Sequence, residues 1–340
     1  MNVGFTYNVK KNKPSKDLKK QSDLEFDSPS VINGITKALK DLGHNVFKIE
    51  ADQNAYIKLK KLKNKIDIVF NIAEGLSGDA RESQIPMFCE VLQIPYTHSS
   101  PSTHAITLDK QFTKWILQGA KVARVPMSQT LSDKNYKIDK ALKFPLMVKP
   151  NKEGSSKGIL DKNVVRDAKN LKRAISEVSE NFTKEIIVEE YIEGREFTVA
   201  VLGNGDKARV LPIVEQKFDF LPKGMNRIAS FELKWLYEDK LKNLHDAYDC
   251  PAILDKKIKI EIENTAKEVC KVLDVRDASR MDFRLTNKNE LYFLEINTLP
   301  GINPDESIIS YFPLAARTAD LSFKEMIGEI LKSARMRYNI

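Results

Sequence analysis

Four side chains near the C-terminus have the types and the spacing to bind a metal ion. Arg280 and Asp282 lie two residues apart, and so do Glu295 and Asn297. Because successive side chains of a strand alternate between its faces, each pair shares one face if both segments are extended. Carboxylate and amide oxygens are the ligands that Mg²⁺ prefers, and the ion takes the rest of its shell from phosphate and water. Arg280 beside them would stabilise negative charge that develops in a reaction.

Two segments that alternate apolar and polar residues, 279–287 and 290–297, carry these side chains. The Lys288-Asn289 pair between them fits a two-residue hairpin loop. In that register the two carboxylates face each other, and so do Arg280 and Asn297. The other face is then wholly apolar and pairs Met281 with Ile296, Phe283 with Leu294, and Leu285 with Tyr292. A solvated strand face with cross-strand ion pairs explains the four polar residues equally well.

A glycine-containing loop is the second candidate site. Residues 149–158 read Lys-Pro-Asn-Lys-Glu-Gly-Ser-Ser-Lys-Gly and follow an apolar segment that we interpret as a strand. Small residues let backbone N–H groups approach phosphate oxygens, and Lys149 would add a positive charge. The loop matches neither the Walker A pattern nor the dinucleotide fingerprint. Without the hairpin, a flexible surface turn would be the better interpretation.

Strands and helices alternate in the first part of the chain, which predicts a parallel α/β sheet. The residue pattern there predicts strands at 3–5, 45–49 and 66–70 and helices at 30–42 and 84–92. Further along it predicts helices at 108–118, 167–177 and 256–273, and strands at 144–149, 186–190, 197–202 and 209–214. The polar stretch from 218 to 252 is longer than an ordinary connection, so we expect it to cover a site.

The composition narrows the class of protein. A chain of 340 residues that is 42% hydrophobic is long enough for two or three packed units. The net charge of +8 favours anionic partners, but the lysine-rich N-terminal region lacks interleaved aromatic residues and fits solvated helix faces better than a nucleic-acid site. The cysteines at 89, 250 and 270 lack the spacing of a metal knuckle or a disulfide framework. With no signal-peptide pattern and no 18-residue apolar span, we expect a cytoplasmic protein without a membrane partner.

Several ordered motifs resemble the D-alanine–D-alanine ligases, a family of the ATP-grasp superfamily. The motifs are Ile94-Pro95-Tyr96-Thr97, Leu108-Asp109-Lys110, Lys149-Pro150 with Glu153-Gly154-Ser155-Ser156, residues 189–198, Arg280-Met281-Asp282, and residues 294–301. Their order and spacing match across nearly the whole chain. The resemblance implies an α/β, ATP-grasp fold with an N-terminal parallel-sheet domain and two α+β domains that clasp ATP. The implied domain ranges are 1–107, 108–194 and 195–340.

The same resemblance implies the cofactors and the residues that bind them. The cofactors are ATP and two Mg²⁺ ions, with Mn²⁺ as the alternative ion. Lys110 and Lys149 would contact phosphates or the adenine side, and Glu196 would hold the ribose. The residues implied around the adenine and the phosphates are Glu189, Glu190, Tyr191, Ile192 and Ser156. The metal ligands would be Asp282, Glu295 and Asn297.

The implied reaction joins a carboxylate to an amine. ATP phosphorylates the carboxylate, the amine attacks the acyl phosphate, and ADP and phosphate are released. Arg280 would stabilise the tetrahedral intermediate, Ser155 would belong to a loop over the phosphates, and Glu25 would hold the amino group of the first substrate. Gly301, Ser307 and Trp235 would lie at the substrates. The partners would be small amino acids or amines, without nucleic acid, and a homodimer is left open.

The chain departs from the family pattern only on the amino-acid side. The stretch that matches the family's His-Gly motif ends in Glu74-Gly75, and Lys234-Trp235 stands where the family has a Lys-Tyr pair. The segment from Gly301 to Ser307 is one residue longer than usual. A surface ion pair between Glu74 and Arg81, and plain packing of Trp235, are alternatives to functional roles. The product is therefore D-alanyl-D-alanine or another amide, and a nucleotide-binding regulatory protein without turnover is the competing function.

Overall fold

The computed structural model describes residues 1–11, 23–132, 136–182, 185–238, 241 and 243–340. Its first sheet places strand β1 (Asn2–Tyr7) between β2 (Asn45–Glu50) and β3 (Ile68–Asn71), and both pairings are parallel. Helix α1 (Pro29–Asp41) begins with a proline after Ser28, whose side chain caps the helix by accepting from the Val31 N–H. Helices α2 (Ala55–Leu62) and α3 (Gln84–Leu92) follow β2 and β3. The predicted parallel α/β sheet is confirmed.

The helix predicted at 108–118 is α5 (Lys110–Gly119), and a helix that was not predicted, α4 (Pro101–Leu108), directly precedes it. The break falls at Asp109, whose backbone is extended and whose side chain accepts from the Phe112 N–H at 2.9 Å. An aspartate that caps the next helix therefore ends the previous one. The break places Lys110 in the first turn of α5.

A second, antiparallel sheet is built from β4 (Ser128–Leu131), β5 (Leu146–Pro150), β6 (Val164–Val165) and β7 (Ile186–Glu190) in the spatial order β4-β7-β5-β6. Helix α6 (Ala168–Asn181) buries Leu171, Ile175 and Val178 against it. The glycine-containing loop leaves this sheet at the end of β5.

The third sheet contains β8 (Arg195–Leu202), β9 (Arg209–Val210), β10 (Val214–Gln216), β11 (Tyr248–Asp249), β12 (Ala278–Leu285) and β13 (Leu291–Asn297). Its order is β11-β10-β8-β12-β13, with β9 on β8. The strand predicted at 209–214 is interrupted around Pro212, which has no N–H to donate to a ladder. Helix α7 (Lys256–Val272) packs Ile262 and Val269 against this sheet.

The β12–β13 hairpin has a different register from the predicted one beyond the site. Arg280 faces Asn297 and Asp282 faces Glu295, as predicted, but Phe283 then pairs with Phe293 and Leu285 with Leu291. The predicted pairs of Phe283 with Leu294 and Leu285 with Tyr292 are wrong, because the register shifts after Asp282 and leaves Leu294 as an extra residue. The loop is also longer than two residues, since the Thr286 N–H donates to the Glu290 carbonyl at 3.0 Å.

The C-terminal helices α8 (Tyr311–Thr318) and α9 (Phe323–Tyr338) join the first sheet to the third. Met326, Ile330 and Phe312 belong to one buried cluster that also contains Phe5 of β1 and Leu202 of β8. This shared core fixes the first sheet relative to the β12–β13 hairpin. Within the described residues, no helix has both the length and the apolar character needed to cross a membrane.

Candidate active site

Three hydrogen bonds, one within the hairpin and two from neighbouring residues, hold Arg280, Asp282 and Asn297 on the polar face of the β12–β13 hairpin. The Arg280 Nη2 lies 3.1 Å from the Asp282 Oδ2, and the Thr198 Oγ1 of the neighbouring β8 donates to the Asp282 Oδ1 at 2.7 Å. The Asn297 Oδ1 accepts from the Leu299 N–H at 2.8 Å. Each side chain is thereby oriented before any ligand binds.

Glu295 of the hairpin is surrounded by cationic side chains. The Lys110 Nζ lies 3.8 Å from its Oε2, and Lys110 also donates to the Glu153 carbonyl in the loop at 2.6 Å. Burial alone would raise the pKa of Glu295, but Lys110, Lys149 and other cations outweigh it and lower the pKa to about 2. The carboxylate is therefore ionised at neutral pH and able to bind a cation.

A buried cluster of ion pairs holds the Lys149 side chain in place. The Lys149 Nζ lies 2.7 Å from one oxygen of Glu189, and Lys114 of α5 contacts the other oxygen. All three side chains are at most 7% exposed. Burial lowers the pKa of Lys114 to about 8, although Glu189 opposes this shift. One carboxylate thus holds two lysines, and it fixes the Lys149 ammonium in the site.

A cavity lies between the second and third sheets. Its apolar lining is Met147, Ile159, Ile192, Ile228 and Leu294. Leu294 reaches the cavity beside Glu295 because of the bulge that the predicted register lacked. The residues predicted for nucleotide and metal that line this cavity are Lys149, Ser156, Glu189, Glu190, Tyr191, Ile192, Glu196, Asp282 and Glu295.

Glu196 sits in this cavity with a partner that the sequence reasoning did not identify. The Arg284 Nη2 lies 2.6 Å from the Glu196 Oε2, and both side chains are nearly fully buried. Arg284 also donates to the Gly194 carbonyl at 3.0 Å and lies against the Tyr191 ring, 5.6 Å from its centroid. The arginine therefore braces both Glu196 and the turn that carries Tyr191.

A second cavity, which Arg280 lines, lies between the hairpin and the first sheet's side of the molecule. Lys234 lines both cavities. The predicted site residues Glu25, Ser155, Arg280, Asn297 and Gly301 line the second cavity, together with Asp27, Glu74 and His98. Two adjoining cavities that share Lys234 at their junction, with Arg280 in the second bonded to Asp282 in the first, can hold two reactants with their reacting ends together.

The glycine-containing loop is closed over the junction and attached to the first sheet's side of the molecule. The Gly154 N–H donates to the Glu25 Oε1 at 2.8 Å, and the Arg81 Nη2 donates to both Glu25 oxygens at 2.9 and 3.0 Å. Arg81 also donates to the Lys152 carbonyl at 2.8 Å. We refer to Glu25, Arg81 and Gly154 as the latch. Arg81 pairs with Glu25, so the considered ion pair between Glu74 and Arg81 is wrong.

The segment 218–252 covers the loop, as its length predicted. The Ser156 Oγ donates to the Ala229 carbonyl at 2.6 Å, and the Phe231 N–H donates to the Ile159 carbonyl at 2.8 Å. The segment contributes Ile228, Ala229 and Lys234 to the first cavity, which we refer to below as the nucleotide-side cavity after the role expected for it.

Two predicted substrate residues are not placed in the cavities. Ser307 is exposed, and both its N–H and its Oγ bond to Asp305. The backbone of Trp235 lies in the helical turn Leu233–Tyr237, and its side chain falls outside the described part of the structure.

Three supporting residues were missed by the sequence reasoning, namely Lys114, Thr198 and Arg284. Lys114 follows Lys110 by four residues and so shares its helix face, a signal that could have found it. Arg284 follows Asp282 by two residues on one strand, and the same alternation that identified the hairpin includes it.

Known proteins match the chain in both sequence and fold. The family model "D-ala D-ala ligase C-terminus" matches residues 117–332. A D-alanine–D-alanine ligase of Aquifex aeolicus is 30% identical over 87% of this chain and 92% of its own length.

Two solved structures share the fold at 21% identity. The D-alanine–D-alanine ligase of Bacillus anthracis complexed with ATP superposes with a TM-score of 0.72, covering 100% of this chain and 99% of that one. The VanG D-Ala:D-Ser ligase of Enterococcus faecalis has a TM-score of 0.74, covering 98% and 99%. With the sequence match, these likenesses establish that the chain belongs to the D-alanine–D-alanine ligase family of ATP-grasp enzymes.

Proposed function

We propose that this protein uses ATP to join the carboxylate of an amino acid to an amine through an acyl phosphate. The observation that carries the proposal is the place of Lys234, which lines both the first cavity and the second, polar one, and of Arg280, which lines the second cavity and is bonded to Asp282 of the first. A carboxylate in the second cavity would meet cationic groups where it faces the phosphates. Family membership supports ATP as the phosphate donor.

The hairpin residues fit a role as Mg²⁺ ligands. Asp282 and Glu295 face each other across the strands, Glu295 is ionised, and Asn297 adds an amide oxygen two residues away. No three His, Cys, Asp or Glu side chains of the described chain form a ready-made metal centre. Such a set suits a hard cation that completes its shell with phosphate oxygens and water. When bound, Mg²⁺ would neutralise charge on the transferring phosphoryl group.

The chain's own residues have separable tasks in this reaction. Lys149 and Lys110 place positive charge beside Glu295, where phosphates would be held. Arg280 is partly buried and held by Asp282, so its guanidinium is pre-oriented to stabilise an oxyanion at the acyl carbon. The closed loop with Ser155 and Ser156 would exclude water, which would otherwise hydrolyse the acyl phosphate.

The substrates are proposed as a class. The relatives' names specify D-alanine for both positions in one protein, and D-alanine with D-serine in another. The cavity on the amino-acid side of this chain contains Glu74, Asp27 and His98, so we expect an amino acid as acyl donor and leave the acceptor amine open.

ADP release by purified protein, measured with Mg²⁺ against D- and L-amino acids in pairs, tests the proposal. We expect stimulation by at least one pair and its loss, by about 10²-fold or more, in Asp282→Asn and Glu295→Gln. If the wild type and both variants bind ATP equally well, and no pair of amino acids stimulates ADP release, the result would support a regulatory nucleotide-binding protein instead.

A further inference from the structure

The second cavity carries opposite charges on its two walls. The hairpin and the segment 218–252 contribute Arg280 and Lys234, and the first sheet's side contributes Glu25, Asp27 and Glu74. An amino acid is a zwitterion, and its carboxylate would face Arg280 while its ammonium faces the acidic wall. The question is which of the three carboxylates binds the ammonium.

Glu25 is already occupied by the protein. Arg81 donates to both of its oxygens, and the Gly154 N–H adds a third contact to Oε1. The Glu25 and Arg81 side chains are 7% and 10% exposed, so this pair is largely shielded from water. Glu25 therefore has its charge balanced by Arg81, and three of its roughly four acceptor sites are used by the latch.

Glu74 differs from Glu25 in its charge and in its hydrogen bonding, because no side chain of the described residues forms an ion pair or a hydrogen bond with its carboxyl group. Burial and the nearby carboxylates of Glu82, Glu25 and Asp27 raise the pKa of Glu74 well above its usual value. The Arg81 charge opposes this shift only in part, so the empty site favours the protonated form of Glu74, and a cation bound beside it would favour the carboxylate.

The backbone around Glu74 is held in place. The Gly75 N–H donates to the Asn8 Oδ1 at 3.1 Å, and Gly75 has a φ of +82°. A Cβ at Gly75 would lie 2.1 Å from the Arg81 carbonyl oxygen, so only glycine fits this approach. Glu74 is thus carried by a fixed turn, as a binding residue should be.

His98 gives an independent sign of a missing ligand in the same cavity. Its side chain is fully buried, and among the described residues the one polar contact of the ring is a backbone contact with Ala278 that is too poorly aligned to count as a hydrogen bond. Burial lowers the pKa of His98 to about 3, so the ring is neutral and one nitrogen can accept a hydrogen bond. A buried polar group without a partner costs free energy, which a donor from a ligand would recover.

We propose that Glu74 binds the ammonium group of the amino acid that donates the acyl group, with Asp27 and His98 as further acceptors. An ammonium has three N–H donors, and these three side chains supply three acceptors. Glu25 then serves in the latch, through which it positions the loop. The inference rests on the proposed function and names the specificity residue of that same cavity.

The test compares each active amino acid with its 2-hydroxy analogue as acyl donor, in the wild type and in Glu74→Gln. The panel is glycine with glycolate, D- and L-alanine with D- and L-lactate, and D- and L-serine with D- and L-glycerate. We expect Glu74→Gln to raise the KM of the amino acid about 10- to 100-fold, the effect of losing a charge-assisted hydrogen bond, and to change the KM of the hydroxy acid little. The selectivity for the amino acid should fall by the same factor, and Glu74→Asp should restore part of it.

Asp41→Asn is the matched control, because it removes one carboxylate from the same part of the molecule at an exposed pair with Lys37. It should leave the selectivity unchanged. Glu74→Gln should also melt no lower than the wild type, since it replaces a carboxyl group that, within the described residues, takes part in no hydrogen bond or ion pair. An unchanged amino-to-hydroxy selectivity in a folded Glu74→Gln, with wild-type turnover intact, would overturn the assignment and leave the ligase function standing. Absence of wild-type turnover with every pair would instead remove the proposed function.

Discussion

Replacing Glu189 with glutamine should destabilise the protein strongly, although Glu189 was first identified only as a nucleotide-pocket residue. Its carboxylate is buried between Lys149 and Lys114, whose side chains are 7% and 0% exposed. Breaking a buried ion pair by removing one partner costs about 3–5 kcal/mol. Lys114, whose pKa is already about 8, can lose its proton when Glu189 is gone, and this limits the cost. We therefore expect a loss near the lower end, about 3 kcal/mol.

Urea unfolding followed by circular dichroism would measure this loss. The control is Glu290→Gln, which breaks the exposed pair between Arg124 and Glu290, whose atoms lie 2.7 Å apart. An exposed pair contributes about 1 kcal/mol or less. Adding Lys114→Met to Glu189→Gln should recover stability, because it removes one of the two unpaired lysines. If Glu189→Gln unfolds like the Glu290→Gln control, the cluster does not stabilise the site as described.

Three further predictions concern the reaction, the loop and the acidic wall. Arg280→Met should lower kcat about 10²- to 10³-fold with little change in the KM for ATP, and an equal effect on both would contradict a role at the acyl carbon. Gly154→Ala places a Cβ 2.5 Å from the Glu25 Oε1, so it should open the latch and speed hydrogen exchange in residues 150–158, whereas Gly119→Ala, with open space around its Cβ, should not. Burial raises the pKa of Asp27 to about 7, although Lys10 opposes the shift. Because the folded state holds that proton more tightly than the unfolded chain, the wild type should lose stability relative to Asp27→Asn as the pH rises from 3.8 to about 7. Thermal or urea unfolding should show a loss of about 2–4 kcal/mol over this range. A stability difference that is constant with pH would contradict the prediction.

The local sequence pattern was sufficient to predict those elements in which neighbouring residues all favour the same secondary structure. The helix Gln84–Leu92 and the strand Ile186–Glu190 have the predicted bounds, and Arg280 faces Asn297 as alternation required. The bulge at Leu294 was not predictable from alternation, because an apolar residue fits either register. Yet the bulge decides that Leu294 and Glu295 both face the nucleotide-side cavity.

The ion pairs of the site could not be predicted from the sequence, for a different reason. Lys114, Lys149 and Glu189 come from three separate elements, and nothing in their local sequence indicates that one carboxylate holds both lysines. Likewise, the family resemblance assigns the substrate's amino group to Glu25, but only the fold shows that Arg81 and Gly154 occupy it. Contacts between distant segments can be identified only from the tertiary structure, whereas the motifs that suggested ATP could be identified from the sequence alone.

The central claim is that a carboxylate is activated by phosphorylation and then attacked by an amine. The most direct test uses the active acyl donor with both carboxylate oxygens labelled with ¹⁸O, together with its amine, ATP and Mg²⁺. One labelled oxygen should leave with the phosphate and one should remain in the amide, and mass spectrometry of both products measures this. Phosphate that carries no label, released together with ADP while the donor keeps both labelled oxygens, would mean that water attacks ATP and would contradict the account.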